Sequence, residues 1–255
     1  MGLKSLANKV PEVTILFWLI KIIATTLGET GGDALSMTLQ FGYAVSTLIF
    51  FGVFVIAVAA QVAARAYHPF VYWAVIVATT TAGTTLSDYL DRSLDLGYIK
   101  ASLLLFGGLC AVLGLWRAVT GSVAVNRIAD RRAELFYWVT ILVSSTLGTG
   151  LGDFVASDAG LGFGGGALLF GGALTIIAIA YFTSAMSRTV LFWMAFILTR
   201  PLGATLGDLL TKPRAEGGLH LSRIDSSLVL AVCIVGCVLF SYRQSQRPPE
   251  EDAAA

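Results

Sequence analysis

The sequence predicts an all-α integral membrane protein. Eight transmembrane helices are expected, as four parallel tandem helical-hairpin repeats with pseudo-fourfold or nested twofold symmetry. Three observations predict this. Of 255 residues, 56% are hydrophobic and only 13% charged, against about 25% charged in an average soluble domain. The apolar residues gather into runs of the length needed to cross a bilayer. One motif recurs four times at constant internal spacing, and periodic recurrence is the mark of a repeat architecture.

The motif opens with an aromatic-Trp pair and closes with a small residue followed by Asp. Its copies run from Phe17-Trp18 to Asp33, Tyr72-Trp73 to Asp88, Tyr137-Trp138 to Asp153, and Phe192-Trp193 to Asp208. The Trp-to-Asp distance is 15 residues in every copy, and successive Asp residues lie 55, 65 and 55 apart. Repeat bounds follow at 12–66, 67–121, 132–186 and 187–242, with a disordered cytoplasmic tail over 243–255. The polar stretch from Asn126 to Arg132 reads as a loop inserted between the second and third copies. Each unit has room for a motif span and a plain apolar span, at roughly 41–63, 99–119, 162–183 and 226–242. Two spans per unit keep all four units in one orientation, which is a parallel repeat.

Lys4 and Lys9 precede the first apolar run without a small-residue cleavage site, so that run is expected to stay in the protein. Loops on the side of the termini carry ten Lys and Arg: Lys4, Lys9, Arg65, Arg117, Arg127, Arg131, Arg132, Arg188, Arg243 and Arg247. The other side carries five: Arg92, Lys100, Lys212, Arg214 and Arg223. Basic loops stay cytoplasmic, so both termini are expected in the cytoplasm and the protein in a bacterial inner membrane. The net charge of +1 provides no field for nucleic acid. The partners expected are the lipid bilayer and a small cation or proton. Glycine-rich faces such as Gly162 to Gly166 leave a homo-oligomer open.

These four copies resemble the DUF347 tandem repeat of bacterial membrane proteins, a repeat of unknown function. The resemblance runs over about residues 12–242 and implies repeated membrane helical hairpins. It implies no activity.

The site residues come from the motif itself. Gly28/Gly32, Gly83/Ser87, Gly148/Gly152 and Gly203/Gly207 form a small-xxx-small pattern, which lets helices approach closely. Asp33, Asp88, Asp153 and Asp208 are costly inside a bilayer unless they face protein, water or a cation. Parallel symmetry would bring them to one depth as a ring. Such a ring selects cations, and carboxylates suit hard divalent ions. Metal ligation by Asp33, Asp88, Asp153 and Asp208 is therefore the candidate chemistry, with Glu29 an extra ligand or proton carrier one turn earlier. The bland alternative is that each Asp caps or turns a helix at the interface.

Thr26, Thr81 and Thr146 are expected to line a polar path, with Arg200 and Lys21 in support. Glu29 aligns with Thr84, Thr149 and Ala204; Arg200 with Thr25, Thr80 and Ser145; Lys21 with Ile76, Ile141 and Phe196. Glu29 and Arg200 would pair if copies one and four close a ring. Lys21 would otherwise snorkel to the inner interface, and the Trp residues would sit in the aromatic belt there. Asp91, Arg92 and Asp95 read as a solvated outer loop.

No phosphate loop, Gly-x-Ser-x-Gly or His-Glu-x-x-His motif is present, so no enzyme is expected. No cofactor is required, and a divalent cation is the one candidate ligand. The function expected is a secondary transporter or channel for a small cation, with a divalent metal favoured. The alternative is a non-transporting sensor or assembly protein whose Gly/Asp motif is structural.

Overall fold

The computed structural model describes residues 10–64, 66–125, 128 and 130–245. Its eight long helices are α1 (Ile15–Asp33), α2 (Gly42–Ala63), α3 (Pro69–Asp88), α4 (Tyr98–Thr120), α5 (Arg131–Asp153), α6 (Gly162–Thr183), α7 (Arg188–Thr211) and α8 (Arg223–Ser245). All eight are long and apolar enough to cross a membrane. The starts are set locally. Thr14 caps α1 through Phe17 N at 3.2 Å, and Asp130 caps α5 through Ala133 N at 2.6 Å. Pro69 opens α3, where its missing N–H costs nothing. The helix α8 runs through Ser245, so Arg243 and Gln244 are helical and not a disordered tail. The rest of that tail, and Asn126, Arg127 and Ala129 of the inserted stretch, lie outside the described residues. Asp130 to Arg132 are the cap and first turn of α5.

The four motif helices form the inner layer and pack in a closed cycle: α1 on α3, α3 on α5, α5 on α7, α7 back on α1. Each second helix packs on the motif helix of the following repeat: α2 on α3, α4 on α5, α6 on α7 and α8 on α1. The cycle explains the contrast in burial. The inner spans are 56–72% buried and the outer ones 11–22%.

Glycine explains the cycle. A Cβ added to Gly28 would sit 2.5 Å from the Thr80 side chain, one on Gly83 2.8 Å from Ser145, one on Gly148 2.5 Å from Arg200, and one on Gly203 2.5 Å from Thr25. The second small position repeats the rule one turn on. Gly32 faces Thr84 at 3.0 Å, Gly152 faces Ala204 at 3.1 Å, and Gly207 faces Glu29 at 2.7 Å. Every contact runs from one repeat to the next, and the fourth returns to the first. Thr80 and Thr25 use the close approach to hydrogen-bond the backbone across it, to Ala24 O and Thr199 O, both at 3.2 Å.

The aromatic pairs obey the same rule at the other end of the inner helices. Phe17 packs on Trp73 at 5.5 Å, Tyr72 on Trp138 at 5.6 Å, Tyr137 on Trp193 at 6.2 Å, and Phe192 on Trp18 at 5.7 Å. Tyr72 and Tyr137 also share a 2.6 Å hydroxyl hydrogen bond. Trp73, Trp138 and Trp193 are buried. These indoles are therefore not a belt at a lipid interface. They close the inner bundle, because aromatic edges and faces interlock when helices are drawn this close.

Replacing Gly203 by Ala should lower stability by about 1–3 kcal/mol through overpacking. Gly108→Ala on outer α4, where nothing lies within 4 Å of an added Cβ, should cost nothing. Thermal unfolding in detergent, followed by tryptophan fluorescence, compares the two.

Candidate functional site

Starting from each aromatic residue, every fourth residue of a motif helix is buried. In α1 these are Phe17, Lys21, Thr25, Glu29 and Asp33; in α7 they are Phe192, Phe196, Arg200, Ala204 and Asp208. In α3 and α5 the same positions are Tyr72, Ile76, Thr80, Thr84 and Asp88, and Tyr137, Ile141, Ser145, Thr149 and Asp153. A step of four residues follows the ridge used in close helix packing. Layers thus stack along the inner bundle about 6 Å apart: aromatic, apolar with Lys21, hydroxyl with Arg200, hydroxyl with Glu29, and Asp.

The Asp residues do not cap helices. Asp33, Asp88 and Asp153 end α-helices that pass directly into five-residue π-helical turns, Ala34–Thr38, Tyr89–Ser93 and Phe154–Asp158, and none makes a side-chain cap bond. Such π turns often mark functional positions. The backbone closes each turn alike, with Leu39 N, Leu94 N and Ala159 N donating to Ala34 O, Tyr89 O and Phe154 O at 2.9–3.0 Å. The fourth repeat keeps the bond as Leu219 N to Leu209 O at 2.7 Å, but places five extra residues inside it.

Position four beyond each Asp forms one more layer: Met37, Arg92, Ser157 and Lys212. Two of these are bases, and each clamps two carboxylates. Arg92 Nε lies 3.2 Å from Asp88 Oδ1 and its Nη2 lies 3.6 Å from Asp153 Oδ2. Lys212 Nζ lies 3.2 Å from Asp208 Oδ1 and donates to Asp33 Oδ2 at 3.0 Å. In both cases the base holds the Asp of its own repeat and that of the next. Arg223 Nε, at the start of α8, adds a contact of 3.5 Å to Asp33. Burial alone would lower the Lys212 pKa, but Asp208 and Asp33 outweigh it and hold the amine above its ordinary range. On the alkaline side the clamp therefore persists past the unfolded pKa of about 10.4 and is lost as pH rises through the raised folded value, and on the acid side it is lost once the paired carboxylates are protonated.

This corrects the sequence reading of a solvated loop in part. Asp91 and Arg92 lie in the π turn, and Asp91 is buried and accepts a hydrogen bond from Ser87 Oγ at 3.2 Å, whereas Arg92 and Asp95 are exposed and Asp95 lies beyond the turn. The polar stretch at Asp91 and Arg92 looked like a loop because the span continues helically past its Asp.

One layer below, Arg200 sits in the middle of the bundle, 1% exposed. Its Nη2 donates to Glu29 Oε2 at 3.2 Å and to Thr149 Oγ1 at 2.7 Å, and also to Thr84 Oγ1. It reaches Thr80 O and Thr25 O at 3.3 Å. One guanidinium thus touches all three of the other repeats. Thr84 Oγ1 also donates to Glu29 Oε2 at 3.1 Å. Lys21 does not snorkel. It is 1% exposed, with Nζ 4.1 Å above the Phe196 ring, because its place on the buried ridge turns it inward.

Thr26, Thr81 and Thr146 are buried. Each hydroxyl donates to its own helix backbone, at Ile22 O, Val77 O and Leu142 O over 2.8–3.0 Å. They sit one residue past the ridge, about 100° round the helix. The hydroxyls that Arg200 reaches are Thr84 and Thr149, on the ridge itself.

Carboxylate oxygens of Glu29, Asp153 and Asp208 lie within 4.8 Å of one another, all three buried. They come from repeats one, three and four. Asp33 and Asp88 fall outside this group, although they share Lys212 and Arg92 with Asp208 and Asp153. Asp153 Oδ2 and Asp208 Oδ1 lack a hydrogen-bond donor among the described residues, although each faces a clamping base. A pocket of about 320 Å³ opens beside these groups, lined by Asp153, Asp208, Met37, Arg92, Ser157, Lys212, Glu216 and Arg223 among others. It contains the whole layer beyond the Asp residues. The donor set of the three carboxylates fits a hard cation. Arg92, Lys212 and Arg223 escaped the sequence reading because they were counted as loop charges. The signal for Arg92 and Lys212 was the fixed distance of four residues beyond Asp88 and Asp208; Arg223 had none of that kind.

The Repeat of Unknown Function (DUF347) matches the chain four times, over residues 16–67, 71–122, 136–187 and 191–247, so the chain belongs to that family. No curated protein and no solved structure matches it.

Lys212→Gln should destabilise the protein by about 3–5 kcal/mol, the usual cost of stranding buried charges. Adding Asp208→Asn should recover more of that loss than adding Asp33→Asn, because Asp33 keeps Arg223. Unfolding midpoints of the two double variants measure the difference.

Proposed function

We propose that this protein is a multi-pass bacterial inner-membrane carrier that binds a small cation at Glu29, Asp153 and Asp208 and moves it by secondary transport. The observation that carries the reading is the meeting of three buried carboxylates from three different repeats beside a polar pocket. Three hard oxygen donors within reach of one ion favour a divalent metal. In the proposed mechanism the cation enters from the pocket, between Arg92 and Lys212, and exchanges water for carboxylate oxygens. Asp33 and Asp88 stand outside the carboxylate group, share Lys212 and Arg92 with Asp208 and Asp153, and take no part in ligation. Below the site Arg200 and the aromatic layer fill the axis, which argues for a gated carrier in preference to an open channel. Both termini lie in the cytoplasm on this reading. The support is the excess of Lys and Arg flanking the spans on the side of the termini, ten against five, in the sense that orients membrane proteins.

The test is flux into proteoliposomes across Mn²⁺, Mg²⁺, Ca²⁺, Zn²⁺, Na⁺ and H⁺. Wild type should carry at least one of them, and Asp153→Asn, Asp208→Asn and Glu29→Gln should each cut that flux tenfold or more. Absence of flux for every ion from folded wild type would move the reading to a non-transporting membrane protein with a structural motif.

A further inference from the structure

Arg200 occupies a position that is Thr25, Thr80 or Ser145 in the other repeats. Closure of the axis at that layer is thus assigned to a single cation. Its partner Glu29 is also one of the three grouped carboxylates. One carboxylate cannot give its full charge to a guanidinium and to an incoming ion together. We propose that Arg200 is a tethered counter-cation that competes with the transported cation for Glu29, and so sets which cations the site accepts. The inference rests on the cation-site reading above.

The rest of the Arg200 environment fits such a role. Its other acceptors are neutral: the carbonyl oxygens of Thr25 and Thr80 and the hydroxyls of Thr84 and Thr149. They hold the guanidinium when Glu29 turns towards an ion, so release does not strand a bare charge. Its Nε has no hydrogen-bond partner among the described residues, so the grip is incomplete even in the closed arrangement. A strongly attracting ion displaces the guanidinium from Glu29, and a weakly attracting one does not. Arg200 thereby discriminates by charge density and keeps the axis filled while the site is empty.

The experiment is Mn²⁺ binding to the detergent-purified full chain, read from the free-ion signal in electron paramagnetic resonance. Arg200→Gln should bind Mn²⁺ at least tenfold more tightly than wild type, and Glu29→Gln at least tenfold more weakly. Arg200→Lys, which keeps the charge on a compact ammonium without the planar fork, should fall between wild type and Arg200→Gln. It serves as the second arm should Arg200→Gln not fold. Affinity unchanged or reduced in folded Arg200 variants, with wild type binding normally, would overturn the competition while leaving the cation site standing. No binding in wild type or in any variant would overturn the cation site itself.

Discussion

Close approach of neighbouring inner helices at Gly28, Gly83, Gly148 and Gly203 is the contact on which the other features depend. An added Cβ would fall inside the van der Waals radius of the next helix at each of these positions. Four helices drawn together this way leave no room for a wide lumen. The residues on the buried ridge of each helix are therefore forced into shared layers, and side chains from different repeats become neighbours. The ring closes because α7 meets α1 by the same glycine rule that joins the other three pairs. Without that last contact Glu29 would not meet Arg200, nor would Lys212 reach Asp33.

On this regular frame the charges are irregular, in two tiers. Arg92 and Lys212 recur at every second repeat, and each bridges two adjacent carboxylates. Glu29, Arg200 and Lys21 occur once each in their layers. The first tier offsets most of the cost of burying four Asp residues in apolar surroundings. The second tier makes one carboxylate group unlike the others, by adding Glu29 to Asp153 and Asp208. A uniform ring of four equivalent acids would offer no preferred place for an ion. The proposed site arises where the repeat breaks its own pattern.

Much of the frame was legible in the sequence. The constant Trp-to-Asp distance, the small-xxx-small pairs and the alternation of motif and plain spans gave the eight helices and four repeats directly. The Glu29–Arg200 pair followed from alignment of the copies. Other features were legible but were assigned by composition instead of by position. Arg92 and Lys212 were taken as loop charges, although both stand four residues beyond an Asp. Thr26, Thr81 and Thr146 were taken as lining for being polar, although they lie off the ridge that carries Thr84 and Thr149. The buried aromatic layer was unreadable on different grounds. A Trp near a helix end fits a lipid interface and a tight bundle equally, and only the closeness imposed by glycine decides between them. The five extra residues before Leu219 likewise hid the shared turn of the fourth repeat, because the backbone bond to Leu209 survives the insertion.

The most direct test of the account is an experimental structure of the protein grown with Mn²⁺, using the anomalous signal of the metal. The account predicts one strong peak among the carboxylates of Glu29, Asp153 and Asp208, with the Arg200 guanidinium moved away from Glu29. A peak confined to surface carboxylates, with the three buried acids unchanged and Arg200 still on Glu29, would contradict it.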